Sequence, residues 1–182
     1  MIEQRQGYST TARVMHWIIA VLVLLMIPAG ITMIQEGISR PLQDTLFLFH
    51  KNTGVIVLLL MVARLLYRRA KPPPPLPATV PDWQRRAAGL SHGALYVLLF
   101  VMPISGYVRV RAERYPIEGL DALGIGTLLP HSKALAGFAQ GLHQAAAFLL
   151  IAVLLVHIGA ALQHAFIRKD GVFSRMWPPF ER

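Results

Sequence analysis

The sequence predicts an all-α integral membrane protein, a four-helix bundle with both termini in the cytoplasm. Four apolar runs are each long enough to cross a bilayer, which takes about 20 residues in a helix. Only 15% of the residues are charged, against about 25% in soluble domains, and those charges fall between the apolar runs. A length of 182 residues is typical of one domain, so we expect residues 1–182 to form a single membrane unit.

Each apolar run is expected to extend into its flanking residues as one helix. Pro28 and Pro103 fall inside the first and third runs, where neighbouring helices can satisfy the backbone groups that proline leaves free. Gly30 and Gly106 follow these prolines and permit the close approach of another helix or a flat ligand. The predicted helices cover about residues 13–35, 44–69, 83–111 and 138–167.

The distribution of Lys and Arg predicts the orientation, because cytoplasmic segments are enriched in both residues. Twelve of the 18 lie on the side of the two termini, and six lie on the opposite, outer side. The twelve are Arg5, Arg13, Arg64, Arg68, Arg69, Lys71, Arg85, Arg86, Arg168, Lys169, Arg175 and Arg182. The six are Arg40, Lys51, Arg109, Arg111, Arg114 and Lys133. The side of the termini is therefore predicted to be cytoplasmic, and the net charge of +9 indicates membrane lipid rather than nucleic acid as the partner.

Histidines stand out inside the apolar runs, because polar side chains are costly in a bilayer and usually functional there. His143 and His157 are 14 residues apart, which places them on one helix face and about 21 Å apart along the axis. His50 enters the second helix at the depth of His143, and His16 begins the first helix near the depth of His157. The sequence thus offers an outer and an inner pair of imidazoles, each suited to hold one haem iron from opposite sides.

Other roles for these histidines are weighed against haem ligation. A single membrane histidine often forms only a hydrogen bond between helices. A zinc or copper site needs three or four clustered ligands, whereas these residues divide between two depths. A proton relay would need Asp or Glu within the apolar runs, and none is present. The chain has no cysteine, which excludes thiolate metal sites, iron–sulfur clusters and covalently attached haem.

Spacing alone leaves the inner ligand open, because His164 follows His157 by seven residues and lies nearly on the same face. His157 is preferred because it lies deeper. His92, at the inner start of the third helix, is predicted to bind a haem propionate or to be a plain interface residue. Further propionate candidates, which are equally ordinary interfacial residues, are Arg13, Arg64 and Arg68 on the inner side and Lys51 with Asn52 on the outer side.

Short motifs surround these histidines in a fixed order along the chain. They are ARVMHW from residue 12, FHKNTG from 49, MVARLL from 61, SHG from 91, LY from 95, PISG from 103, LHQ from 142, VH from 156, RKD from 168 and RM from 175. Together they resemble the bacterial cytochrome b561 family, which includes the membrane-bound superoxide oxidase. The resemblance covers nearly the whole chain except the outer loop, about residues 111–137.

The resemblance implies a single cytochrome b561-type domain in the bacterial inner membrane with two non-covalent b haems. It assigns His16 and His157 to the inner haem iron, and His50 and His143 to the outer one. One branch of the family oxidises superoxide and reduces ubiquinone. Quinone and a small anionic reductant such as superoxide are therefore the expected partners, although the outer loop that would shape the substrate site does not match.

The sequence is compatible with three functions. The first is an oxidoreductase that passes electrons between the haems, with superoxide as donor and ubiquinone as acceptor. The second is a haem b anchor subunit that relays electrons between a partner dehydrogenase or hydrogenase and quinone. The third is a non-redox, histidine-lined metal transporter, which predicts a colourless protein. In the first, outer cations steer the anion toward the outer haem, and the candidates are Lys51, Arg109, Arg111, Arg114 and Lys133.

Overall fold

Four long helices dominate the structure, a computed structural model that describes residues 7–127 and 129–179. The helices are α1 (Thr10–Thr32), α2 (Arg40–Ala70), α3 (Asp82–Ala112), a short α4 (Glu118–Ala122) and α5 (Lys133–Leu162). All except α4 are long and apolar enough to cross a membrane. The predicted all-α, four-helix membrane architecture is confirmed, while the orientation in the membrane stays a prediction. Arg5 and Arg182, which that prediction counts, lie outside the described residues.

The helix boundaries differ from the predicted ones where polar caps extend the helices beyond the apolar runs. Helix α5 begins at Lys133 rather than 138, because the Ser132 hydroxyl accepts a hydrogen bond from the Leu135 amide at 3.2 Å. Helix α1 begins at Thr10 because Ser9 caps it in the same way. Helix α4 was not predicted, since five residues within a Gly- and Leu-rich loop show no helical periodicity.

The helices pack in sequence, α1 on α2, α2 on α3 and α3 most extensively on α5. By contrast, the backbone of α5 hardly approaches those of α1 and α2 in the described part of the chain. The bundle is therefore two tight hairpins joined along α2 and α3, with wider gaps between α5 and the first hairpin. Such gaps are where a bundle can hold a flat cofactor.

The two ends of the bundle differ, and we name them by what they carry. At the terminal end the first and last described segments meet: the Tyr8 amide donates to the Arg175 carbonyl at 3.2 Å, and Trp17 Nε1–H donates to the Met176 carbonyl at 2.9 Å. Arg175 also donates to the Pro74 carbonyl at 2.6 Å and so holds the α2–α3 connection to the same end. The loop end carries the segment between α3 and α5, including α4.

An apolar layer fills the middle of the bundle. Its residues come from all four long helices and are between 2% and 9% exposed. On α1, α3 and α5 they lie between a histidine toward the terminal end and a glycine or histidine toward the loop end, and on α2 they follow His50 toward the terminal end. This layer therefore separates the two histidine levels. It consists of Ile19, Val23, Val57, Met61, Leu98, Ala146 and Leu150.

Candidate functional site

At the terminal end, α1 and α5 bring the imidazoles of His16 and His157 close together. Their ring centres lie 6.3 Å apart, and the ring planes make an angle of 77°. Both side chains are half-buried. The pair spans the gap between α1 and α5 rather than a tight helix contact.

At the loop end, α2 and α5 bring together His50 and His143. Their ring centres lie 6.2 Å apart, with an interplanar angle of 71°. This pair too bridges α5 to the first hairpin across a wide gap. The fold thus brings together both of the histidine pairs predicted from helix depth.

Two glycines form seats for the loop-end imidazoles. A Cβ atom on Gly30 would lie 2.9 Å from Cε1 of His50, and a Cβ atom on Gly106 would lie 3.2 Å from Cε1 of His143. Both glycines were predicted to allow close approach of a helix or a flat ligand, and the group that approaches each is a histidine ring. The first hairpin seats one imidazole and the second hairpin seats the other.

Hydrogen bonds fix the tautomer of His143. Its Nδ1 lies 2.9 Å from the Met102 carbonyl oxygen and 3.1 Å from Ser105 Oγ. Because a carbonyl oxygen can only accept, Nδ1 carries the hydrogen and Nε2 keeps a free lone pair. The partner ring differs, since Nδ1 of His50 is buried beside the Met26 backbone without a partner in hydrogen-bond geometry.

The spacing of both pairs fits two imidazoles opposed across one metal ion. Metal–imidazole bonds are about 2.0 Å long and ring nitrogens lie roughly 1.1 Å from the ring centre, so the centres of two opposed rings should be about 6 Å apart. The measured separations are 6.3 and 6.2 Å. No group of three or more His, Asp or Glu suited to a metal ion occurs in residues 7–127 and 129–179. The donor set therefore matches the two axial positions of a haem better than a tetrahedral ion.

The terminal end holds a third histidine and several cations. His92 lies 5.4 Å from His157 between ring centres, so it belongs to the same level. Arg64 lies near enough to act electrostatically on all three histidines there, and it donates to the Ala12 carbonyl at 3.2 Å. Arg68 sits over the Tyr96 ring at 5.5 Å. Arg13 is 8% exposed and donates to Thr10 Oγ1 at 3.2 Å.

The remaining histidines have other partners. His164 lies in a π-helical turn, Gln163–Arg168, that continues α5, and its Nδ1 pairs with Asp170 Oδ2 at 2.7 Å. His131, in the outer loop, bonds the Ala112 carbonyl at 2.9 Å through Nδ1. The ring that faces His16 is that of His157, which was the preferred inner ligand.

The five cations predicted to steer an anion divide into two groups. Lys51 forms an ion pair with Glu118 at 2.7 Å, and the buried Arg111 forms one with Asp121 at 2.6 Å. The other cations form no ion pair with an acid among the described residues. Those unpaired cations are Arg109, Arg114 and Lys133. Both acids belong to α4, so the short helix neutralises two of the five charges.

Helix α4 is fastened to the residues that follow His50. The Gly119 amide donates to Asn52 Oδ1 at 2.8 Å, and Asn52 Nδ2 donates to Glu118 Oε2 at 2.9 Å. Lys51 also donates to the Pro116 carbonyl at 2.8 Å. Sequence reasoning overlooked Glu118 and Asp121. Their spacing of three residues, which places two acids on one face of a helical turn, was the available signal.

Comparison with known proteins shows which family this chain is similar to. The family model described as prokaryotic cytochrome b561 matches residues 7–179. The chain belongs to this family. As a cytochrome b561 family member it is a multi-pass bacterial membrane protein that binds haem b and serves electron transfer. The resemblance inferred from the histidine motifs is confirmed.

Three members of the cytochrome b561 family align with almost the whole chain. The chain is 34% identical to cytochrome b561 homolog 2 of Escherichia coli K12 over 94% of its own length and 91% of the relative. It is 29% identical to cytochrome b561 homolog 1 of the same organism over 94% and 97% of the two lengths. It is 27% identical to the probable superoxide oxidase CybB of Yersinia pestis over 94% and 96%.

Proposed function

We propose that this cytochrome b561 family protein holds two b haems and passes electrons across the bacterial inner membrane from superoxide to ubiquinone. The observation that carries the proposal is the pair of imidazole separations, 6.3 Å at the terminal end and 6.2 Å at the loop end. In it, His16 with His157 would hold one haem iron, and His50 with His143 would hold the other. The twelve basic residues on the terminal side support a cytoplasmic terminal end.

The protein's own residues supply binding and geometry. When bound, the haems would supply the one-electron chemistry, and the protein would set their ligands and burial. Seats at Gly30 and Gly106 hold two of the rings in place, and the Met102 carbonyl holds the hydrogen of His143 away from the gap. Arg64, Arg68 and His92 at the terminal end are the proposed partners of haem propionates.

The overall reaction balances over two turns. Two superoxide ions each lose one electron and leave as dioxygen, while one ubiquinone gains two electrons and takes two protons to become ubiquinol. The unpaired cations Arg109, Arg114 and Lys133 at the loop end support an anionic donor there, because a positive surface raises the local concentration of a small anion. The name of the Yersinia relative supports the same donor.

Haem content and spectra test the ligand assignment. We expect two b haems per purified chain in a reduced-minus-oxidised spectrum. His143→Ala should lose the loop-end haem and His157→Ala the terminal-end haem, each leaving the other. His131→Ala is the matched control, because its imidazole lies in the loop and bonds only a backbone carbonyl. A wild-type protein with one haem, or with none, would refute the di-haem proposal.

Activity separates superoxide oxidation from a relay function. Purified, fully loaded protein should reduce ubiquinone in the presence of superoxide faster than the uncatalysed background. A fully loaded protein with no such rate would refute superoxide as donor. Electron transfer from a co-purifying dehydrogenase or hydrogenase would then assign the chain as an anchor subunit.

A further inference from the structure

The hydrogen bonds of the two loop-end imidazoles are unequal, although both rings face the same gap. Nδ1 of His143 has two oxygen atoms within hydrogen-bond distance, whereas the buried Nδ1 of His50 has none in hydrogen-bond geometry. The oxygens belong to Met102 and Ser105, residues of α3 that flank Pro103. The second hairpin thus offers its imidazole two oxygen atoms, whereas the first offers only the nearby Met26 backbone, outside hydrogen-bond geometry.

Ser105 is placed to act on His143 in two ways. Its side chain is almost completely buried, at 3% exposure, and its hydroxyl donates to the Met102 carbonyl at 3.0 Å. The lone pairs of the same oxygen then accept from His143 Nδ1–H at 3.1 Å. A hydroxyl that donates one hydrogen bond becomes a better acceptor for another, so the Nδ1–H is shared between two polarised oxygens.

Such sharing has a definite electronic consequence for an axial ligand. Acceptors on the distal nitrogen of an imidazole increase the basicity of the ligating nitrogen and fix the plane of the ring. A more basic ligand favours the ferric over the ferrous state and lowers the reduction potential. Hydrogen bonding to the ligating histidine is one of the ways in which a protein tunes the reduction potential of a haem.

We propose that Ser105 is a positioning residue for the loop-end haem, which orients His143 and lowers the reduction potential of that haem relative to one without the hydroxyl. The inference rests on the proposed ligation of this haem by His50 and His143. It adds a tuning group on α3, a helix that contributes no ligand to either pair. The loop-end haem therefore depends on side chains beyond the two helices that supply its ligands.

Substitutions at position 105 test the inference in the purified, haem-loaded full chain. Ser105→Ala removes one oxygen and adds no bulk. Ser105→Thr and Ser105→Val form a matched pair of nearly equal shape, of which only threonine keeps the hydroxyl. Ser91→Ala is the control, because Ser91 carries a buried hydroxyl on the same helix without a hydrogen-bond partner, at the other end of the bundle.

Redox titration supplies the main measurement, with the loop-end midpoint identified by its absence in His143→Ala. Ser105→Ala and Ser105→Val should raise this midpoint by about 30 mV or more, a threefold change in the one-electron equilibrium at about 59 mV per tenfold. Ser105→Thr should keep the wild-type midpoint, and the terminal-end midpoint should not move. Electron paramagnetic resonance of the ferric loop-end haem should change in Ser105→Ala and Ser105→Val, because only the Met102 carbonyl then remains to fix the plane of the His143 ring.

The outcomes separate this inference from the proposed ligation. A wild-type protein without a loop-end haem refutes the ligation. A wild-type protein with that haem, whose midpoint and ferric signal are the same in Ser105→Ala, refutes the role of Ser105 alone. An equal shift in the threonine and valine variants would attribute the effect to bulk and likewise refute it. If neither of these two variants folds, the comparison of Ser105→Ala with Ser91→Ala decides.

Discussion

The imidazole of His50 packs directly against the backbone of Gly30, so closely that a Cβ atom at position 30 would lie 2.9 Å from its Cε1 atom. Real Cβ atoms essentially never approach so closely. Glycine at position 30 therefore fixes where an imidazole on α2 can stand relative to α1. In the proposed function this contact positions one axial ligand of the loop-end haem.

Gly30→Ala should displace the His50 ring and weaken haem binding at the loop end. Alanine is favoured over glycine in a helix by about 1 kcal/mol, so the helix itself should tolerate the change. A ligand must be held within about 0.5 Å of its productive position, and we therefore expect the haem content to fall to about half of the wild-type value. Haem per chain is measured by absorbance. An unchanged haem content and spectrum would contradict this prediction, because the His50 ring could then move without weakening haem binding.

Gly106→Ala should have a milder effect at the opposite ligand. The added Cβ atom would lie 3.2 Å from Cε1 of His143, so a shift of a few tenths of an ångström relieves the contact. We expect the loop-end haem to be retained with a changed ferric resonance signal. The matched control is Gly137→Ala on α5, where a Cβ atom meets nothing within 4 Å. If the ferric resonance signals of Gly106→Ala and Gly137→Ala were equal, the contact between Gly106 and the His143 ring would not position that ring.

His164→Ala should leave both haems in place and lower the stability of the terminal end. The imidazole of His164 is engaged by Asp170 at 2.7 Å, whereas the ring facing His16 is that of His157. Loss of a partly buried, charge-assisted hydrogen bond costs about 1–3 kcal/mol, which thermal unfolding in detergent would detect. Asp170→Asn should give a similar loss. If His164→Ala abolished the terminal-end haem, the assignment of His157 would be wrong.

Glu118→Gln should accelerate the reduction of the protein by superoxide. The substitution breaks the 2.7 Å ion pair of Lys51 and removes one negative charge. The net charge close to His50 and His143 therefore becomes more positive by one. Local charge changes of this kind alter association rates, and we expect an increase of about two- to threefold at low salt that disappears at high salt. Glu113→Gln removes a charge from the same loop without breaking an ion pair and is the control. Equal rates for the two variants would show that freeing Lys51 has no effect beyond the change in net charge.

The docking of α4 should weaken in acid. The hydrogen bond and charge of Arg111 hold the pKa of Asp121 below its ordinary value. Burial acts to raise the pKa of Glu118, but hydrogen bonds from Lys51 and Asn52 outweigh it and leave that pKa lowered as well. A lowered folded-state pKa stabilises the docked loop above the ordinary carboxyl value of about 4, and this stabilisation is lost as the pH falls through the folded-state pKa.

Amide hydrogen exchange measures this pH dependence. The Ile117 amide donates to Asp121 Oδ2 and the Gly119 amide to Asn52 Oδ1, so both report the docked state. Their protection factors should be high at about pH 7 and fall at about pH 3. The Ala136 amide, which donates to the Ser132 carbonyl at the start of α5, is the control and should keep its protection. Equal protection of Ile117 and Gly119 at both pH values would refute electrostatic docking.

The histidine pairs could be anticipated because helical geometry converts sequence spacing into depth. A rise of about 1.5 Å per residue is nearly invariant, and a bilayer aligns spanning helices along one direction. His143 and His157 therefore had defined heights, and His50 and His16 could be matched to them without a tertiary structure. Spacing alone left His157 and His164 as alternatives for the inner ligand, because two candidates one heptad apart share a face.

The loop end could not be anticipated in the same way. Nothing in the spacing of Lys51 and Glu118, 67 residues apart, indicates that they meet. The hydroxyl of Ser105 and the carbonyl of Met102 reach His143 at a height where Gly106, which has no Cβ atom, lets the imidazole lie close to α3. For the same reason the sequence could not indicate which of the outer cations form ion pairs, since side chains in a loop acquire partners only when the loop folds.

The sequence alone determined that this chain spans a membrane with four helices, and at which depths its imidazoles lie, because hydrophobicity and helical rise act locally and need no partner. Only the tertiary structure decided which atoms face each imidazole, which glycines seat them and which cations are neutralised by α4. Those features depend on contacts between distant segments, whose distances follow from how whole helices pack and not from any local pattern.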